Sequence, residues 1–201
     1  MEVGDKNTWF TECLQLSEVC FLNEFSINPN ETPEKEYTYV DIDAVENETG
    51  IISFDKKIIG ENAPSRARRL AKGESTLIST VRPNLRGFAY LDSERPDTIY
   101  STGFAIIRSK NTKKLLNKLI YLCFRYSQKL MAQMINAMPK GSYPSINQSD
   151  INNLMLPIPD SDVQEDIIKK VSVYESNIRK AKAIINDSAK RKQAILDKYL
   201  K

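Results

Sequence analysis

Three guanidinium groups fall within four residues at Arg66, Arg68 and Arg69, in the stretch Pro64-Ser-Arg-Ala-Arg-Arg69. Arginine carries a planar fork of donors that can grip a phosphate or bridge O6 and N7 of guanine. The same chemistry recurs at Arg82, Asn84 and Arg86, which follow a β-branched run at a proline-fixed turn, a geometry that presents side chains outward. A third group lies on a glycine-led loop. Lys140, Ser142, Tyr143, Ser145 and Asn147 combine one charge, small polar groups and one ring, a mixture suited to phosphate and groove contact. These residues form the candidate nucleic-acid contact set. Each cluster also has a plainer reading: solvated or ion-paired arginines, turn chemistry with aliphatic packing, or Ser and Asn that only cap a turn. Tyr39, Asp41 and Asp43 could line the same face, although outward polar residues of a strand explain them equally well.

Catalytic chemistry finds little to work with. The chain contains no histidine, which removes imidazole as metal ligand, general base and triad member. Its three cysteines, Cys13, Cys20 and Cys123, are widely separated and form no C-x-x-C pair. They read as reduced thiols of a cytoplasmic protein rather than as a zinc site. No glycine–lysine phosphate loop, S-adenosylmethionine glycine loop or methyltransferase N-P-P-Y tetrad is present, and Asp41 with Asp43 makes at best a weak metal pair. The chain is therefore expected to be non-catalytic, without cofactor or metal. No apolar run is long enough to span a membrane, and the first residues do not resemble a signal peptide.

A net charge of +3 over 201 residues would not by itself argue for a polyanionic partner. Its distribution says more. Asp162 to Lys201 holds ten Lys/Arg against six Asp/Glu, a net +4 that leaves the first 161 residues at −1. Between Gly60 and Tyr90, six basic residues face only Glu61 and Glu74. The positive footprint is local, which suits a module that binds with a partner better than one that binds alone.

The elements that must position these groups follow from periodicity. Trp9 to Phe25 reads as a short helix or strand entering the core, and Ser26 to Glu36 as a loop. Strands are expected at Tyr37–Val45, Ile51–Phe54, Ser75–Val81, Phe88–Leu91 and Ile99–Ile107, with Gly103 marking a bulge or close contact. Arg66 to Lys72 reads as a short helical or looped segment. Apolar residues recur at threes and fours from Lys113 to Met138, which predicts one helix, stopped at Pro139-Lys-Gly141. Pro144 to Pro159 reads as a loop, a single turn between Asn147 and Leu154, and an L-P-I-P strand. The expected class is α+β: a strand-rich domain, curved or barrel-like, with a small helical part, followed by one long C-terminal coiled-coil helix.

That helix has its own logic. Ser161-x-x-Gln164 and Asp162-x-x-Glu165 are overlapping capping-box candidates. Beyond them Ile167, Val171, Tyr174, Ile178, Ala181, Ile185, Ile195 and Tyr199 step by alternating threes and fours, broken only where Ser188 and Lys192 take seam positions. This is a seam of about five heptads, and it asks for a partner surface or, failing that, a helix folded back on its own domain.

Several of these segments, in this order, resemble one family. Gly141-Ser-Tyr-Pro-Ser-Ile-Asn147, Asp150 to Pro159 (D-I-N-N-L-M-L-P-I-P) and Val163-Gln-Glu-Asp-Ile167 look like the end of a target recognition domain in specificity subunits of Type I restriction–modification systems. Pro64 to Arg69, Gly73 to Pro83 and Ser101 to Ile107 are similar to that family's arginine segment and two of its strands. The resemblance runs from Leu14 to Leu200. It implies a DNA target recognition domain over residues 1–160 and a conserved spacer or dimerisation helix over residues 161–201, which also docks methyltransferase subunits. A full specificity subunit carries two recognition domains and two spacer helices, whereas this chain has one of each. The resemblance therefore further implies double-stranded DNA as ligand, partner modification methyltransferase subunits with or without a restriction subunit, and a homodimer of half-subunits reading a split target. A recognition domain cut from a fused methyltransferase, and a coiled-coil scaffold that does not bind DNA, stay open as alternatives.

Overall fold

Four pairs of consecutive strands carry the chain between the two large β-sheets, and these crossings set the architecture. In the computed structural model, which describes residues 12–139 and 144–200, the chain begins with β1 (Glu12–Gln15), a single helical turn α1 (Leu16–Val19), β2 (Cys20–Leu22) and β3 (Phe25–Ser26). Then come β4 (Glu36–Val40), β5 (Lys57–Ile59), β6 (Ala67–Leu70), β7 (Ser75–Ser79), β8 (Phe88–Leu91), β9 (Thr98–Ser101) and β10 (Phe104–Ser109). Helices α2 (Asn117–Tyr126), α3 (Gln128–Ala137) and α4 (Gln148–Asn152), strand β11 (Met155–Ile158) and helix α5 (Ser161–Tyr199) complete it. Three sheets result: β1-β11, β2-β10-β7-β8 and β3-β6-β9-β4-β5, antiparallel throughout except for β4 beside β9. The four- and five-stranded sheets exchange the chain between β6 and β7, between β8 and β9, and most tightly at Asn23-Glu24, where Asn23 adopts φ 55°, and at Thr102-Gly103. Asparagine tolerates that left-handed conformation better than bulkier residues, so the crossing falls where a sharp turn is cheapest.

The expected α+β class is the observed one, while several element assignments change. Ile99–Ile107 is not one bulged strand: β9 and β10 lie in different sheets. Tyr37–Val45 ends as a strand at Val40 and continues as a 3-10 turn, Ile42–Ala44. Ile51–Phe54 contributes only a bridge between Val45 and Ile52. Arg66–Lys72 is neither helix nor loop; its centre is β6, whose Phe25↔Leu70 and Ser26↔Arg69 pairs come from far upstream. The long helix over Lys113–Met138 is two helices, because Ser127 is extended (ψ 115°) and its hydroxyl accepts the backbone N–H of Leu130, capping α3.

Core packing explains the strand patterns. Val40, Leu77, Leu91, Tyr100, Phe104 and Ile106, drawn from both large sheets, form one buried cluster, and Tyr37, Tyr39, Ala67 and Ile99 form a second. The five-stranded sheet thus has apolar groups on two faces, with Val40 and Tyr39 adjacent in sequence but in different clusters. Strand β7 is buried along its whole length, Ser75 to Ser79. It lies between β10 and β8 and beneath α2, whose Phe124 meets Phe88 edge to face at 6.2 Å. A strand covered on both faces has no solvent side to mark with polar alternation.

One close approach yields a prediction. Gly60 begins a 3-10 turn that packs on the Pro29–Glu31 turn, donating its N–H to Lys35 O at 2.9 Å. A Cβ there would meet the backbone oxygen of Thr32 and lie 2.6 Å from that of Pro29. Neither oxygen ends a flexible side chain, so relief requires separating the two turns. Gly60→Ala is expected to destabilise the domain by roughly 1–3 kcal/mol, seen as a lower urea midpoint; an unchanged midpoint would contradict this packing.

The chain divides into two units, Met1–Gln164 and Glu165–Lys201. Within the second, Tyr174, Ile185 and Tyr199 are 70%, 65% and 73% exposed, and Ile178, Ala181 and Ile195 are exposed as well, while Ile167 and Val171 are half-buried. Asp166–Lys170 and Asp187–Arg191 ion pairs, each at i,i+4, brace the helix. Gln164 does not close a capping box: its amide is buried, accepting from Leu116 N–H and donating to Lys114 O and Pro159 O.

Candidate nucleic-acid interface

A row of backbone hydrogen bonds joins segments that the sequence separates by up to about eighty residues. Thr102 N–H donates to Arg66 O at 2.8 Å, and Thr80 N–H to Gly103 O at 2.9 Å. Ile146 N–H then donates to Thr80 O at 2.9 Å, and Arg82 N–H to Pro144 O at 2.8 Å, with a β-bridge between Val81 and Ser145. The Arg66 turn, the sheet-crossing turn at Thr102-Gly103, the end of β7 and the Pro144–Asn147 loop therefore stand side by side. Arg66 of the first candidate cluster, Arg82 of the second and the described part of the third thus meet on one surface.

At its centre is a cleft of about 560 Å³ whose lining includes Tyr39, Asp41, Asp43, Arg66, Arg82 and Leu85. Arg66 is exposed, and its guanidinium makes no hydrogen bond or ion pair among the described residues. Arg82 is exposed at φ 47°, the residue before Pro83, so the 3-10 turn Pro83–Leu85 leaves β7 sharply and carries Asn84 and Leu85 outward. The acidic wall is partly neutralised: Lys56 Nζ lies 2.6 Å from Asp41 and 5.0 Å from the centre of the Tyr39 ring. Hydrogen bonding to Asp41 raises the Lys56 ammonium above its ordinary range, so it stays charged.

The remaining candidates take different places. Arg68 lies half-buried on β6 with Nη1 donating to Ala67 O at 3.0 Å. Arg69 is half-buried too; its Nε is enclosed without a hydrogen-bond partner among the described residues, and burial lowers the guanidinium below its ordinary pKa. Neither lines the cleft with Arg66. Arg86 is held inward. Its guanidinium donates to Arg125 O and Gln128 Oε1 while Arg125 donates back to Arg86 O at 2.7 Å, a reciprocal clasp between the turn after β7 and the α2–α3 junction. Asn147 forms a capping box with Asp150, its Oδ1 accepting from Asp150 N–H at 3.0 Å and Asp150 Oδ2 accepting from Asn147 N–H at 2.8 Å. Ser145 is exposed beside Val81. Lys140, Ser142 and Tyr143 lie outside the described residues.

Leu85, Asn47 and Ile42 were not among the sequence candidates, yet all line the cleft. Ile42 packs over Gly103, where a Cβ would sit 2.5 Å from its Cδ1. The glycine foreseen as a close contact thus locks the Asp41–Asp43 wall against the sheet crossing. No short-range signal could have linked these residues, since their meeting depends on β4 pairing with β9. Among the described residues, no group of His, Cys, Asp and Glu could hold a metal ion, and no helix is long and apolar enough to cross a membrane.

Comparison with known proteins agrees with this geometry. A solved HsdS subunit from Thermoanaerobacter tengcongensis superposes with TM-score 0.73 at 28% identity, over 92% of this chain and 47% of that one. A structure described as showing complex assembly and conformational transition of the type I R-M system gives TM-score 0.73 at 27% identity, over 94% and 48%. The S subunit from M. genitalium, 11% identical with TM-score 0.58 over 94% of this chain and 45% of that one, shares the fold. The HindI specificity subunit of Haemophilus influenzae is 24% identical over 118 residues, 59% of this chain and 26% of that protein. The chain thus spans about half the length of the solved relatives and a smaller part of the curated one. Residues 12–187 match the family model for the Type I restriction modification DNA specificity domain, and the chain belongs to that family.

Proposed function

We propose that this chain is the DNA-reading, non-catalytic specificity component of a Type I restriction–modification system, with residues 1–160 as the target recognition domain and residues 161–201 as spacer and dimerisation helix. The observation that carries the reading is the convergence of Arg66, Arg82, Asn84 and Ser145 on one cleft-bearing surface. Exposed guanidinium groups beside small polar residues supply both phosphate grip and base-edge readout. In this reading Arg66, Arg82, Asn84 and Ser145 face double-stranded DNA, joined by the Lys140–Tyr143 segment. Arg68, Arg69, Arg86 and Asn147 support the surface rather than touch bases.

The chemistry of modification then belongs to partner methyltransferase subunits, with or without a restriction subunit. In this reading two copies pair through the exposed seam of the long helix and read two half-sites about a two-fold axis. Selection from a random duplex library, with the chain alone and with methyltransferase subunits, should return a split, palindromic motif. Arg66→Ala should then weaken binding to the selected duplex by about 10-fold or more while leaving the fold intact. Absence of any enriched motif in both selections would defeat sequence reading and favour a scaffold role.

A further inference from the structure

A carboxylate on a DNA-facing surface repels phosphates, so one that stays there without a direct hydrogen bond or ion pair needs a reason. Asp43 is such a group. It lines the cleft with Arg66 and Arg82, and its side chain is exposed. Its neighbour Asp41 is paired with Lys56 at 2.6 Å, while Asp43 makes no hydrogen bond or ion pair among the described residues and feels the Lys56 charge only at longer range. Nor is it on a loose loop. It occupies the middle of the Ile42–Ala44 turn, closed by Ala44 N–H donating to Asp41 O at 3.1 Å and Val45 N–H donating to Ile42 O at 3.2 Å. Ile42 is seated on Gly103, and Thr102 beside it donates to Arg66 O. Asp43 and Arg66 are therefore held on the same rigid frame, one pure acceptor and one pure donor.

In the major groove, the exocyclic amines of cytosine and adenine are the donors that a carboxylate can accept from, and guanine offers the two acceptors that an arginine bridges. Resting on the DNA-recognition reading above, we propose that Asp43 is a specificity-determining residue that accepts a hydrogen bond from a base amine, next to Arg66. Its cost against the phosphates is the source of its selectivity. At a position lacking the amine, the carboxylate is left desolvated and unpaired, so wrong bases are rejected more strongly than a neutral side chain could reject them.

The test is library selection on the whole chain with its methyltransferase subunits, comparing wild type, Asp43→Ala and Asp43→Asn. Each protein is checked for an unchanged melting temperature, which an exposed turn position should allow. The proposal expects a wild-type motif with one position in each half-site restricted to C or A. Asp43→Ala should relax that single position, losing about 10- to 100-fold of discrimination there. Asp43→Asn, which keeps an acceptor oxygen but not the charge, should retain the preference in weakened form. A repelling bystander predicts a different pattern: both variants bind every sequence more tightly and the motif stays unchanged, which overturns the proposal. A wild-type protein that enriches no motif overturns the DNA-recognition reading itself, and with it this assignment.

Discussion

Gln164→Ala is expected to lower the unfolding free energy of the Met1–Gln164 unit by about 2–4 kcal/mol. The side chain is 1% exposed, and its three hydrogen-bond partners are backbone groups. Its Oε1 accepts Leu116 N–H at 2.9 Å, at the N-terminal end of α2, where no side chain of the helix itself provides a cap. Its Nε2 donates to Lys114 O at 2.7 Å and Pro159 O at 2.9 Å. Truncation removes three bonds and leaves one buried donor and two carbonyls to find other partners. Urea unfolding followed by circular dichroism measures the loss. Gln164→Glu is the sharper comparison, because it keeps the acceptor for Leu116 but turns a second acceptor toward two carbonyls. It should be at least as unstable as the alanine variant. A change below about 0.5 kcal/mol, the usual effect of a surface substitution, would mean that Gln164 is not a structural clasp.

Placing aspartate at two seam positions, Ile178→Asp with Ile185→Asp, should convert a dimer to a monomer and abolish site-specific modification. Both isoleucines are exposed in the single chain, 47% and 65%, and both belong to the heptad stripe. Pairing two such stripes buries them, and a carboxylate buried without a partner costs several kcal/mol. Two per chain should weaken association by more than about 100-fold. Sedimentation at micromolar concentration reads this directly. Ala183→Asp, on the same helix but off the seam, is the control and should remain dimeric. A wild-type chain that sediments as a monomer would remove the homodimer from the proposed function while leaving the recognition surface untouched.

Much of the local structure was legible from residue order alone. The Ser75–Ser79 strand, the Phe88–Leu91 strand, the L-P-I-P strand and the long C-terminal helix each carry a signal contained within a short stretch of sequence. Errors arose where a long-range partner overrode local preference. Arg66–Lys72 reads locally as a basic helical or looped segment, since arginine, alanine and lysine favour helices, yet its centre is a strand because Phe25-Ser26 and β9 supply backbone partners. The run Lys113–Met138 keeps an apolar period across Ser127, and only the cap to Leu130 and the Arg86–Arg125 clasp reveal the break.

The candidate site divides along the same line. Composition and spacing alone singled out Arg66, Arg82, Asn84 and the Gly141–Asn147 loop, because arginine forks, proline turns and glycine-led loops announce their chemistry by type. Motif order alone pointed to the specificity family, and the family match over residues 12–187 agrees. What sequence could not decide is which arginines face outward. Arg86 and Arg66 are chemically identical. One is drawn into a carbonyl clasp by α2 and α3, and the other is left open by a turn hydrogen-bonded to the sheet crossing. The carboxylates of the Asp41–Asp43 turn reach the cleft through β4 pairing with β9 and Ile42 seated on Gly103, sixty-one residues away. Residue type determines what a group can bind. Which groups share a surface depends on contacts distant in sequence, because sheet pairing and packing bring segments together without regard to their spacing.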